Sequence, residues 1–400
     1  MLRKAVALGR SRGAISLAFA VHGAVVGTFA TRVPWIAEHV GASAGELGLA
    51  LIAPALGAVS TMPLAARLTH RFRSRAVVRV LMVVFCLSVV PVALAPNLVT
   101  LFAALYVFGA AAGMADVAMN AEGVVVERRY GRSIMSSLHG LWSVGVLVAS
   151  GAGVLAAHAD LDARAHFAIA ALVLIAVGWF GGRDLIDERL PGEEAPAFSR
   201  PSRPVLLVGL VGFCAIFAEG AGNDWAAVYL KTVVGTSAGT AAAAVTAFAF
   251  AMAAARLVGD HVVRRFGPVA TVRAGGVIAT VGAACVALSR HPVPAIAGFL
   301  LIGLGVAVVV PLVFAAAGNV STNPSQAIAG VATISYGAGM AAPGIVGGIA
   351  QVTSLPVSFG VVTVLCVLMT LGAGLLRPRQ PTPPPAPSAQ RPPPTEVAAR

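Results

Sequence analysis

Apolar residues along this chain fall in long, nearly uninterrupted blocks. Neither the alternation of a half-buried strand nor the narrow stripe of a surface helix dominates. A helix needs about 20 such residues to cross a bilayer. Read at that length, the pattern predicts twelve spans, at approximately 14–37, 45–66, 77–95, 98–124, 134–157, 165–182, 205–230, 239–258, 272–289, 294–317, 326–350 and 357–376. The basic N-terminus followed by an apolar run resembles a signal peptide. The run continues through Trp35, however, and further spans follow, so it reads as span 1.

Composition agrees. The chain is 58% hydrophobic and 11% charged, with a mean hydropathy of +0.87. Soluble domains carry about 25% charged residues. The net charge of +12 would suit a nucleic-acid partner if it formed a patch. It does not: with twelve spans, 24 of the 28 Lys and Arg fall on the side of both termini. Such a bias sets topology and places both termini in the cytoplasm. The lipid bilayer therefore accounts for the basic charge, and nucleic acid is not expected as a partner. Cys86, Cys214, Cys285 and Cys366 lie inside apolar runs without metal-ligand spacing and read as small buried hydrophobes. Residues 183–204 are charged and Pro-rich and read as a cytoplasmic linker; residues 377–400 read as a disordered Pro-rich cytoplasmic tail.

The two halves align at a constant offset. VGASAG at 40–45 matches VGTSAG at 234–239, Arg71-Phe72 matches Arg265-Phe266, and Trp142 and Gly145 match Tyr336 and Gly339. The expected organisation is all-α integral membrane: a six-helix half at 1–182, the linker, and a second six-helix half of the same orientation at 205–376. ARLTHRFRSR (66–75) and DHVVRRFGPV (260–269) resemble the GxxxDRxGRR motif of the major facilitator superfamily (MFS). Ala66, His70 and Arg73 depart from it. TRVPWIAEHVGASAGELGLAL, DVAMNAEGVVVERRYGRSIMSSLHGLWSVG, AEGAGNDWAAVYL and RLVGDHVVRRFGP are similar to the MosC/YbjJ-like branch, which neighbours the fucose permeases. The resemblance implies the MFS fold, a central cavity lined by spans 1, 4, 7 and 10, and outward-facing spans 3, 6, 9 and 12.

Ionisable groups inside a bilayer mark pathways or coupling sites by default. Span 7 carries Glu219, with Asn223 on the same face, and Asp224; span 4 carries Asp116 and Asn120, again four apart. Glu219 and Asp116 are the candidates for proton coupling. The alternatives are neutralisation of Glu219 by Arg32 and a gate or packing role for Asp116. His22, Asn120, His139, Trp142, Asn223 and Tyr336 are candidates for the substrate cavity. The histidines read equally as hydrogen-bonded helix contacts, and the two aromatics as interface packing. Arg32 and Asp224 lie at matching depths, roughly 27–28 Å along spans 1 and 7 at 1.5 Å per residue, and form a candidate periplasmic gate. Arg71, Arg73, Arg75, Glu122, Glu127, Asp260 and Arg265 are candidates for a cytoplasmic gate.

No GxxxxGK[ST], HExxH or CxxC occurs, so no ATPase, zinc or redox chemistry is expected, no cofactor or metal, and no enzymatic activity. The sequence reads as a secondary active transporter of a small organic solute, coupled to protons and working by alternating access in the bacterial inner membrane. Uptake of a sugar- or polyol-like compound is favoured by the resemblance. Metabolite or drug efflux, and a non-transporting scaffold or receptor, are the alternatives. No obligate protein partner is evident.

Overall fold

The computed structural model describes residues 2–131, 134–188, 202–320 and 324–377. The side chains of residues 2–7 and of a few helical positions, His70, Asp260 and Tyr336 among them, also lie outside the described set, as do 189–201 of the expected linker and 378–400 of the expected tail. The described chain is helical without strands. Its helices are α1 Leu2–Ala30, α2 Val33–Val40, α3 Ala44–Ala50, α4 Ala53–Arg71, α5 Ser74–Leu94, α6 Leu98–Tyr130, α7 Met135–His158, α8 Ala163–Gly181, α9 Arg203–Thr232, α10 Ala238–Leu288, α11 Pro292–Val306, α12 Val309–Val320, α13 Pro324–Val352 and α14 Leu355–Gly372. Among the described residues, 11 segments are long and apolar enough to cross a membrane. The remaining expected span, 326–350, lies on the 29-residue α13.

Three expected spans are each built from two helices, and proline explains each break. A proline inside a helix removes one N–H, and its ring collides with the carbonyl four residues earlier. α1 ends at Ala30, four residues before Pro34, and α3 ends at Ala50, four before Pro54. α11 and α12 part at Ala307-Val308, and Ala307 is four before Pro311. The connection expected at 259–271 is shorter than the pattern suggests. Helix runs up to a sharp break at Gly267 (φ 78°, ψ 164°), and a second helix starts at Pro268, so α10 comprises two helices, one for each span.

The repeated VGxSAG has a physical reading. Gly41 (φ 67°) and Gly235 (φ 74°) adopt the left-handed conformation that ends a helix. Two residues on, Ser43 and Ser237 accept from the backbone N–H groups of Glu46 and Thr240, starting the next helix. The motif is a stop followed by a start, used once in each half.

Within the first half, α1 packs on α7, α4 on α6, and α5 on α6 and α8; within the second, α9 packs on α13, and α10 on α11 and α14. In the second half, Tyr229, Phe299 and Phe359 form an edge-to-face triangle with ring centres 5.2–6.0 Å apart. α1 and α9 are the inner helices: 72% and 61% of their apolar segments are buried. In the segments of α8 and α14 the figures are 22% and 33%, and large side chains such as Leu172 and Leu371 lie open on the outside. Such an apolar exterior belongs in lipid.

The halves meet along α7 with α10 and along α3 with α13. At the end far from the termini the α3–α13 contact is backbone on backbone. A Cβ added to Gly48 would fall 2.7 Å from the Pro343 carbonyl oxygen and 2.8 Å from Gly347 Cα. One added to Gly347 would fall 2.6 Å from the Ala44 carbonyl oxygen. Gln351 Oε1 accepts from Gly45 N–H at 3.1 Å, and Lys231 Nζ lies 3.5 Å from Glu38 Oε1. Among the described residues α13 touches α4 only marginally.

Candidate functional site

A cavity of about 230 Å³ lies between the halves, reached by α1, α7, α9, α10 and α13. Glu219 and Asn223 sit one turn apart on α9 and share its cavity face. Arg256 reaches the same wall from α10. Its Nη2 donates to Glu219 Oε1 at 3.0 Å, and the two side chains are only 22% and 26% exposed. Arg256 Nη1 donates to Ser143 Oγ of the other half at 3.0 Å, and Nε to the Ala307 carbonyl at 3.4 Å. That carbonyl is the one Pro311 releases from helical pairing.

Glu219 is thus neutralised, but by Arg256 and not by Arg32. Arg256 lies near the end of the expected span 239–258 and counts with the basic residues of the side of the termini. It is 18 residues into α10, roughly 27 Å at 1.5 Å per residue and within a ~30 Å core. Ser143, which closes the contact between halves, carries no signal in the sequence beyond its place next to Trp142.

Trp142 lines the cavity, and its indole N–H donates to His22 Nδ1 at 3.0 Å. An indole only donates, so His22 Nδ1 is the acceptor. The other ring nitrogen, 3.2 Å from the Ala112 carbonyl, then carries the hydrogen and donates. One neutral imidazole therefore links α1, α6 and α7. Asn120 Nδ2 donates to Asp116 Oδ1 (3.0 Å) and to its carbonyl (2.9 Å). Asp116 lies within electrostatic reach of His22 and His139, and His139 meets Phe19 edge-on at 5.2 Å. Asp116, Asn120, His22 and His139 are outside the lining of this cavity; Trp142, Asn223 and Glu219 are part of it. The side chain of Tyr336 lies outside the described residues.

The Arg32–Asp224 pair does not form. Arg32, 4% exposed, donates from Nε to His166 Nδ1 and from Nη2 to the Leu161 carbonyl, both at 3.1 Å. It fastens α1 to the start of α8 within one half. Asp224 accepts from Asn223 Nδ2 at 3.0 Å. Matching depth is satisfied, but the two side chains face different neighbours. Among the described residues, the ion pair that spans the halves at this end is Glu38–Lys231.

The residues expected at a cytoplasmic gate are engaged within their own half in this conformation. Glu122, 0% exposed, accepts from Ser74 Oγ at 2.5 Å and from Ile186 N–H at 2.7 Å. Arg73 Nη1 pairs with Asp187 at 2.9 Å, and Arg75 Nε donates to the Leu185 carbonyl at 2.9 Å. Glu127 accepts from the N–H groups of Ile134 and Met135, capping α7. Arg71 and Arg265 lie over Phe72 and Phe266. The side chain of Asp260 lies outside the described residues. The arginines thus hold the strap 182–188, the first residues of the expected linker, and Glu122 binds its backbone. On that strap the Arg129 guanidinium holds the Glu188 carboxyl below its ordinary value, through a hydrogen bond first and charge second.

A helical membrane protein with a charged cavity between two six-helix halves that meet at one end has the build of a solute transporter. Residues 15–322 and 208–399 match the Major Facilitator Superfamily, and the chain belongs to it. It is 36% identical over 360 residues to an MFS-type transporter of Yersinia pestis, covering 89% of this chain and 93% of that one. It is 29% identical over 303 residues to the membrane protein MosC of Rhizobium meliloti, covering 76% and 74%. The solved structure of a mutant of the nucleoside transporter NupG superposes with a TM-score of 0.74 at 10% identity, over 92% of this chain and 99% of that one. At that identity the likeness concerns the fold.

Proposed function

We propose that this protein takes up a small polar organic solute across the cytoplasmic membrane together with protons, by alternating access, with both termini in the cytoplasm. Glu219 is the proton-carrying group. The observation that carries the reading is the Glu219–Arg256 pair on the wall of the cavity between the halves. A carboxylate there is held by one cation and borders the solute space, so a proton and the cargo compete for the same partners. The close backbone contact of the halves at the far end, where Gly48 meets Gly347, supports a state closed on the side away from the termini. The cavity volume suits a sugar- or polyol-sized compound or smaller.

The test uses purified protein in liposomes loaded with a pH-sensitive dye. Sugars, inositols, amino sugars, sugar acids and cationic drugs are applied outside. A solute gradient that acidifies the lumen for wild type, and not for Glu219→Gln, is the expected result. Uptake of a radiolabelled solute without any pH change would remove proton coupling from the reading.

A further inference from the structure

Resting on the reading of Glu219 as the proton site, we propose that the cargo is a small organic monoanion, its carboxylate held by Arg256 in exchange for Glu219. Three observations converge. Among the described residues, the charged groups lining the cavity are one cation and one anion, joined to each other. Ser143, Glu219 and Arg256 are tied into one network and Asn223 donates to Asp224, whereas Val26, Val146, Ile216, Phe248 and Met252 offer only apolar surface. Trp142 adds a ring whose single N–H is already spent on His22.

Each class of cargo meets this arrangement differently. A neutral polyol needs partners around its whole rim, and hydroxyls laid on the apolar surfaces would lose their water without replacement. A cation would have to take Glu219 and leave Arg256 uncompensated beside it, which a partly buried site penalises strongly. An anion displaces Glu219 from Arg256 while a proton from the medium bonds to the Glu219 carboxylate. The guanidinium keeps a carboxylate partner throughout, and its planar fork matches that group in two parallel hydrogen bonds. The sum of charges in the cavity is zero before and after. When the anion leaves, the proton dissociates and the Glu219–Arg256 pair reforms. One anion and one proton cross together, so the cycle moves no net charge. The body of the cargo is then a compact, largely apolar or aromatic group lying against Trp142 and Phe248.

The probes are benzoate, lactate and gluconate, each against its neutral counterpart: benzyl alcohol, propane-1,2-diol and glucitol. Binding is read by thermal shift in detergent at pH 7.5 for wild type, Glu219→Gln, Arg256→Gln and Arg256→Lys. The Glu219→Gln substitution imitates the protonated carboxyl and frees Arg256. At least one carboxylate should bind Glu219→Gln tenfold or more tighter than wild type, with the gain shrinking as wild type is taken to pH 5. Arg256→Gln should lose that binding, and Arg256→Lys should keep a weakened form of it. Carboxylates that bind Glu219→Gln no better than wild type, or neutral counterparts that bind as well, overturn the assignment. In liposomes, carboxylate uptake with lumenal acidification and no net current supports it. Acidification with an inward current for a neutral solute keeps Glu219 as the proton site and overturns the anion. Carboxylate uptake without acidification overturns the coupling itself, and the exchange with it.

Discussion

Arg256 Nη1 and Ser143 Oγ, 3.0 Å apart, belong to opposite halves of the molecule, and the same guanidinium holds Glu219. The group that senses the cavity's charge therefore also ties the halves together. A hydrogen bond with a charged donor contributes about 1.5–3 kcal/mol, and less where the donor keeps other partners. Ser143→Ala should shift the population away from this conformation by about 1 kcal/mol, roughly fivefold. Spin labels at Ala42 and Thr353 should report the change as a longer-distance fraction.

Arg32 should behave as a structural residue. Arg32→Ala leaves the His166 nitrogen and the Leu161 carbonyl without their donor in a buried site, which costs about 2–4 kcal/mol. Thermal unfolding in detergent should fall accordingly. Asp224→Asn should unfold near wild type, and the exchange Arg32→Asp with Asp224→Arg should not restore what Arg32→Asp loses.

The contact of Gly48 with Gly347 leaves no room for a side chain. Gly48→Val or Gly347→Val should prevent closure at that end. A cysteine placed at Gly344 should then react with a water-soluble maleimide added on the side far from the termini at least tenfold faster than in the unsubstituted background, an estimate in line with a lost population of about 1.4 kcal/mol. Equal rates would mean that the backbones part without steric help.

The strap 182–188 should loosen in acid. The Glu188 carboxyl is held below its ordinary value of 4.5 by Arg129. A group depressed in the folded state stabilises it fully above its unfolded value and ceases to do so as pH falls through the folded one. Proteolysis of the strap should therefore rise as pH falls below about 4.5. Glu188→Gln should remove that rise.

The spans were legible because a bilayer imposes one requirement on length and apolarity, and the chain meets it block by block. The repeat was legible because Gly41 and Ser43 perform local tasks, a stop and a cap, that Gly235 and Ser237 repeat. Partners were less legible. Depth placed Arg32 level with Asp224, but helix rotation turned Arg32 toward His166. Arg256 fell inside the expected span 239–258, but Arg264 and Arg265 beyond it drew it into the basic charge of the side of the termini. The burial of Glu122 came from Ile186, 64 residues away, which no periodicity links to it.

The seam where Gly48 meets Gly347 is made of main-chain atoms with no titrating or ionic group of its own. Salt has nothing there to screen, and acid or alkali has nothing to protonate or strip. At the outer mouth the Glu38–Lys231 pair, at 3.5 Å and half in water, adds little. The meeting of the two backbones at that seam is consequently a matter of shape, as constant in dilute water as in brine.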